Sequence, residues 1–184
     1  TTEIYTLSLH DALPISEESR GAGGGIPWAA GCNRGTLMPY YRKLFDQFAE
    51  GDTERATRAA ANLLKLRRQL TRDLPQRMVE ETLLVATSNL REFGSGDKYG
   101  PRLEESIQYI AEVVSRFDLV AVQEVRRNLG DLKRLMAVLG DWWDYTVTDV
   151  TEGRSGNEER IACIFDKRKV RFNHVAGEVA LTAG

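Results

Sequence analysis

Two polar residues stand where apolar segments run out. Asn89 closes TLLVATSN, residues 82 to 89, and Glu124 follows the run at residues 119 to 122 within FDLVAVQEV, residues 117 to 125. Segments this short, apolar and β-branched read as strands buried on both faces rather than as core helices or loops. An ionised glutamate at the end of such a strand is costly to desolvate unless a cation or hydrogen-bond donors compensate it. Glu124 is therefore the first candidate for chemistry, with Asn89 as its companion if the two strands are neighbours. The plainer alternative is that Asn89 caps a turn and Glu124 pairs with Arg91 or Arg126.

The intervening sequence decides how the two are positioned. Gly94, Gly96, Gly100 and Pro101 mark a loop. A helix is predicted from about residue 102 to 116, with Leu103, Ile107, Ile110 and Val114 on one face. Strand, crossover helix and strand make a βαβ unit, which forces parallel strands and a right-handed connection. Both strands then end on the same side of the sheet, where open α/β sheets place ligands. A further helix is signalled by Leu129, Leu132, Leu135, Met136 and Leu139, stopped by Gly140. Strand-like segments at 142 to 147 and 160 to 165 flank a polar loop, and a turn at 166 to 168 leads to a last strand at about 169 to 172. These spacings suit antiparallel neighbours, so the sheet is expected to be mixed. Of Trp142 and Trp143, one is expected in the core.

Upstream, Tyr41, Leu44, Phe45 and Phe48 form one helical stripe, and Gly51 and Asp52 end that helix and cap the next. The second helix, about residues 53 to 70, turns Ala56, Ala60, Leu63, Leu66 or Leu64, and Leu70 inward. Residues 38–74 thus read as a helical hairpin packed on the main domain. Residues 1–16 back-translate, codon by codon, into a widely used sequencing-adapter oligonucleotide and are read as an artefact. Setting them aside removes His10 and Asp11 as a tempting dyad and leaves His174, read as a loop residue. Residues 17–37, with Gly21, Gly23, Gly24, Gly25 and Gly31, have no period and too little apolar surface to offset chain entropy. They are predicted to be disordered upstream read-through, with Met38 the natural start.

Composition narrows the classes. A net charge of -2 over 184 residues argues against a purely electrostatic nucleic-acid binder, though a nuclease that meets phosphate with a metal need not be basic. Cys32 and Cys163 give neither metal-ligand spacing nor a disulfide framework. No apolar run is long enough to span a bilayer, which favours a cytoplasmic location.

The segments TSNLR at 87 to 91, FDLVAVQEV at 117 to 125 and GNEERIACIFDKRKV at 156 to 170 resemble the endonuclease/exonuclease/phosphatase superfamily, the DNase-I-like fold. The resemblance implies an α/β fold. Residues 82–184 would be the N-terminal part of a four-layer α/β sandwich with a mixed β-sheet, preceded by the helical hairpin. It also implies a hydrolase of phosphodiester or phosphomonoester bonds, most readily a nuclease, that uses Mg2+ or Mn2+. Glu124 matches the family's metal-ligating Glu, and hard carboxylate oxygens suit Mg2+. Asn89 matches the Asn beside metal and phosphate. Glu159 falls where a Glu orients a catalytic His, and Asn157 near a position that approaches the substrate; Arg160 could instead contact phosphate, and the alternative for both Glu159 and Arg160 is a solvated strand start in a charged loop. The expected partner is a phosphoester, nucleic acid among them, with no membrane and no obligate protein partner.

Two departures qualify that expectation. Ser88 stands where an aromatic is common in the family, and the later Asp-x-Asn and Asp-His motifs do not occur. The chain therefore reads as a fragment, inactive alone, whose sheet would expose the face meant for a second sheet. The alternative is a non-catalytic protein-interaction scaffold of the same fold.

Overall fold

The computed structural model describes residues 2–8, 39, 52–78, 80, 82–94, 102–149 and 159–173. Within them the chain forms β1 (Thr2–Ser8), α1 (Thr53–Asp73), β2 (Leu83–Phe93), α2 (Glu104–Val114), β3 (Leu119–Arg126), α3 (Gly130–Leu139), β4 (Trp143–Val147) and β5 (Glu159–Asp166). The strands make one mixed sheet in the order β1-β2-β3-β5-β4. β1, β2 and β3 run parallel, while β5 is antiparallel to both β3 and β4. The parallel pair joined by α2 is the βαβ unit read from the sequence. Residues 2–8, set aside there, pair with β2 from Thr2 against Leu83 to Ser8 against Asn89. The backbone reason is simple: β2 has β3 on one side only, and TEIYTLS supplies an extended partner for its other edge.

α2 and α3 cover one face of the sheet. Leu84, Ala86, Val120, Val122, Ala162 and Ile164 from the strands join Ile107, Ile110, Val114, Leu132 and Leu135 from the helices in one buried cluster. The alternate residues Leu83, Val85, Leu119 and Ala121 are only half-buried, and Ile161 is 44 % exposed. The strands are thus buried on one face, where their apolar runs taken alone suggested two and the fragment reading an open face. Their second face is apolar as expected, but among the described residues no helix lies over it.

α1 lies along α2. Asp52 caps it, accepting from the Arg55 amide at 3.4 Å, and Ala56, Ala59 and Leu63 are buried. Sandwiched between α1 and the sheet, α2 is buried from Ile107 through Val114, including Gln108 and Glu112. Glu112 receives Arg67 at 3.1 and 3.0 Å and Arg116 at 2.7 Å, so the charge that α2 buries is met by hydrogen-bonded cations. Leu103, assigned by periodicity to the buried face, sits at the N-cap and is 50 % exposed. The first helix of the expected hairpin lies outside the described residues. Among the described residues, no helix is long and apolar enough to cross a membrane.

Trp143 is buried at 4 % exposure and Trp142 is open at 54 %, the split expected of a strand start. The last strand, at 169 to 172, does not form. The amides of Lys169 and Val170 both donate to the Asp166 carbonyl, at 3.0 and 2.9 Å, which spends on a turn the donors a ladder would need.

At the sheet end opposite Asn89 and Glu124 lies an ionic cluster that the sequence did not suggest. Asp118 and Asp166 are fully buried and share Arg77. Lys169 reaches Asp118 at 2.9 Å, and Arg168 closes on Asp166. Burial alone would push the Asp166 carboxyl up, but hydrogen bonds from Arg168 and Arg77 outweigh it and hold it down to about 2. Because the folded value lies below the ordinary 3.8, the stabilisation is present above about pH 4. It is lost as pH falls toward 2. Unfolding stability should therefore drop by about 2 kcal/mol across that window. Urea titrations at stepped pH should show Asp166→Asn lacking this component; an identical acid slope in the two proteins would contradict it.

Candidate functional site

β2 and β3 end side by side, with Asn89 opposite Gln123. Asn89 Nδ2 donates to Glu124 Oε1 at 2.5 Å, and the second oxygen, Oε2, accepts the Glu92 amide at 3.2 Å. Asn89 Oδ1 in turn accepts the Arg91 amide at 2.7 Å. The amide and the carboxylate thus meet directly, and each is held by a backbone N–H from the end of β2.

The backbone that permits this is irregular. Arg91, Glu92 and Glu124 have φ of 47°, 49° and 58°, the only non-glycine residues with positive φ among those described. Left-handed conformation costs an L-residue roughly 1–2 kcal/mol. Here it occurs three times within one site. Both strands break register at the same level: pairing of β2 with β3 jumps from Asn89–Gln123 to Phe93–Val125, and β3 with β5 from Val122–Ala162 to Val125–Arg160. On β3 the extra residue carries Val125, not Glu124, onto the buried face next in line after Val122. A bulge re-aims side chains at a sheet end in this way, and it frees Glu124 to stand beside Asn89 on the open side. Clustered strain of this kind is a mark of functional sites.

The other residues singled out from the sequence fall as follows. Glu159 opens β5 at the same sheet end and is paired with Arg126 at 3.5 Å, opposite which it stands in register. Arg160 stands opposite Val125, and residues directly opposite in an antiparallel pair share a face. It is therefore on the helix side, away from Asn89, and its Nε is buried with no hydrogen-bond partner among the described residues. Asn157 and His174 lie outside the described residues. Ser88, in place of the aromatic common in the resembled family, is buried at 4 % exposure with its Oγ unpartnered among the described residues. A hydroxyl there costs desolvation without a compensating bond, directly before Asn89.

Sequence reasoning missed two parts of the site. One is the pair of amides at Arg91 and Glu92, because no glycine marks their left-handed backbone; the nearest signal was Gly94. The other is Arg102, whose Nη2 donates to the carbonyls of Leu90 and, at 2.7 Å, Arg91. Its guanidinium also lies over the Phe93 ring, 5.5 Å from the centroid. Burial pulls Arg102 below the usual arginine range, with Asp131 opposing.

A divalent cation can be tested against these donors. Among the described residues, no three Asp, Glu, His or Cys side chains gather to hold a metal. What is present is one carboxylate whose two oxygens each accept a single hydrogen bond, which leaves each a further lone pair. One hard carboxylate fits Mg2+, which retains several waters and takes few protein ligands. The donors fit such an ion in kind.

Comparison with known proteins gives no matching family model, no matching curated protein and no matching solved structure.

Proposed function

We propose that this chain contributes the first part of the site of a metal-dependent phosphoesterase of the endonuclease/exonuclease/phosphatase kind, most simply a nuclease-type hydrolase of phosphodiester bonds. One observation supports the reading above others. Two parallel strands bring an amide and a carboxylate into contact at their C-terminal ends, on backbone bent out of regular pairing by paired bulges. A structural ion pair would need neither the left-handed residues nor the amide.

In this reading Glu124 holds Mg2+ or Mn2+, and Asn89 stands beside the ion. When bound, the ion would polarise a phosphoryl oxygen and offset charge developing on the leaving group. The protein's part is positioning. The Arg91 amide fixes Asn89 Oδ1, so that Nδ2 sets the carboxylate's orientation, while the Glu92 amide fixes its other oxygen. Asn89 can do this without adding negative charge where phosphate must approach. Glu159, tied to Arg126 at the same sheet end, would in this reading orient a further group. Hydrolysis also requires a group to take the nucleophile's proton. The substrate would be a phosphoester, nucleic acid included.

Titration of the 184-residue chain with Mn2+, followed by the loss of the free ion's electron paramagnetic resonance signal, tests the reading. The unsubstituted chain should bind saturably, and Glu124→Gln should weaken binding by tenfold or more, about the effect of losing one charged ligand. Absence of saturable binding, or equal binding by the variant, would sink the hydrolase reading and favour the interaction scaffold.

A further inference from the structure

We propose that Arg102 is the positioning residue of this site: a clamp that holds the left-handed segment at Arg91 and Glu92 in place, and through its amides holds Asn89 and Glu124. The chain of contacts is continuous. Arg134 on α3 donates to the Arg102 carbonyl at 3.2 and 3.1 Å and is itself tied to Asp131 at 2.7 Å and to Glu104. The Arg102 backbone is thereby fixed between α2 and α3. Its guanidinium bridges the carbonyls of Leu90 and Arg91, the peptide groups on either side of the first left-handed residue. Those peptides lead into the two amides that grip Asn89 Oδ1 and Glu124 Oε2.

The physical need for such a clamp follows from the conformation. Consecutive left-handed residues without glycine relax unless their surroundings hold them. The bulge also removes Leu90, Arg91 and Glu92 from the pairing register with β3, so their carbonyls need other donors. Both bonds come from the one Nη2 amino group, whose two N–H lie in the fixed guanidinium plane, an order that the freely rotating ammonium of a lysine lacks. Stacking over Phe93, the residue at which pairing with β3 resumes, fixes the plane of that fork.

The consequence for metal affinity rests on the function proposed above; the clamp itself does not. Amide hydrogen exchange by NMR on the full chain reads the clamp directly, with the amides of Ala86 and Val120 as internal controls for the sheet. In Arg102→Met, exchange at Arg91 and Glu92 should quicken by roughly tenfold or more, the effect of releasing charge-assisted hydrogen bonds, while the controls hold. Arg102→Lys should fall between the two, and it becomes the deciding variant if Arg102→Met loses protection throughout. Unchanged exchange at Arg91 and Glu92, relative to the controls, in the folded variant overturns the proposal. Mn2+ titration of the same proteins separates the two claims. A chain that binds no Mn2+ yet shows the exchange pattern keeps the clamp and loses the hydrolase, whereas weaker Mn2+ binding in Arg102→Met with Glu124 intact supports both.

Discussion

Replacing Asp118 with alanine is expected to destabilise the chain by about 3–5 kcal/mol, the cost of breaking a buried ion pair from one side. Asp118 is fully buried and accepts from Arg77 Nε, from Lys169 Nζ at 2.9 Å and from the Leu84 amide at 2.8 Å. Removing it takes away one of the two carboxylates that meet Arg77, leaves Lys169 Nζ with the Met78 and Thr82 carbonyls alone, and strips the Leu84 amide of this acceptor. It also unpins three segments at once: the approach to β2, the start of β3 and the turn after β5. Against a total stability of typically 5–15 kcal/mol for a domain, such a loss is a large fraction. Urea unfolding monitored by tryptophan fluorescence should show the midpoint displaced accordingly, Trp143 lying 5.6 Å from the Arg77 guanidinium. A loss under about 1 kcal/mol would mean that the cluster is worth no more than a surface pair.

Gly94→Ala should be nearly as damaging, by roughly 3 kcal/mol, and for a different reason. Gly94 has φ of 104°, and a Cβ there would lie 2.0 Å from the Asn128 carbonyl oxygen, a backbone atom that no rotamer change can move. Asn128 cannot retreat cheaply, because its Oδ1 accepts the Gly130 amide at 2.9 Å at the start of α3. Gly140 supplies the comparison. Its φ is 88°, yet a Cβ there would meet nothing within 4 Å. Gly140→Ala should therefore show conformational strain alone, roughly 1–2 kcal/mol, and Gly94→Ala should exceed it by the cost of the clash. Equal unfolding midpoints for the two variants would refute the argument.

Much of the frame was legible in the sequence because it depends on short-range pattern. The apolar runs located β2 and β3, the leucine spacing located α3, and Asp52 marked the start of α1. The meeting of Asn89 with Glu124 was also readable, since one crossover helix requires parallel strands with their ends together. What escaped was set by distant partners. Asp118 looked like the polar entrance to a strand, because Arg77 is 41 positions away in the chain. Lys169 looked like the start of a strand, yet its ammonium reaches Asp118 and the Met78 carbonyl. The apolar runs did not by themselves distinguish one-sided from two-sided burial, because an apolar residue reads alike whether or not anything covers it; an open face followed only from the missing later motifs. The left-handed residues at 91, 92 and 124 run against local preference, so residue types gave no sign of them.

The grip on Glu124 and Asn89 comes from two peptide N–H groups, and any amino acid except proline possesses one. Side-chain identity at 91 and 92 is therefore not dictated by the holding of the carboxylate, provided the newcomer tolerates the left-handed turn, which disfavours valine, isoleucine and threonine. The ledge beside the carboxylate can thus vary its outward chemistry while the part that does the holding stays the same. Outward chemistry and grip are separate degrees of freedom at this sheet end.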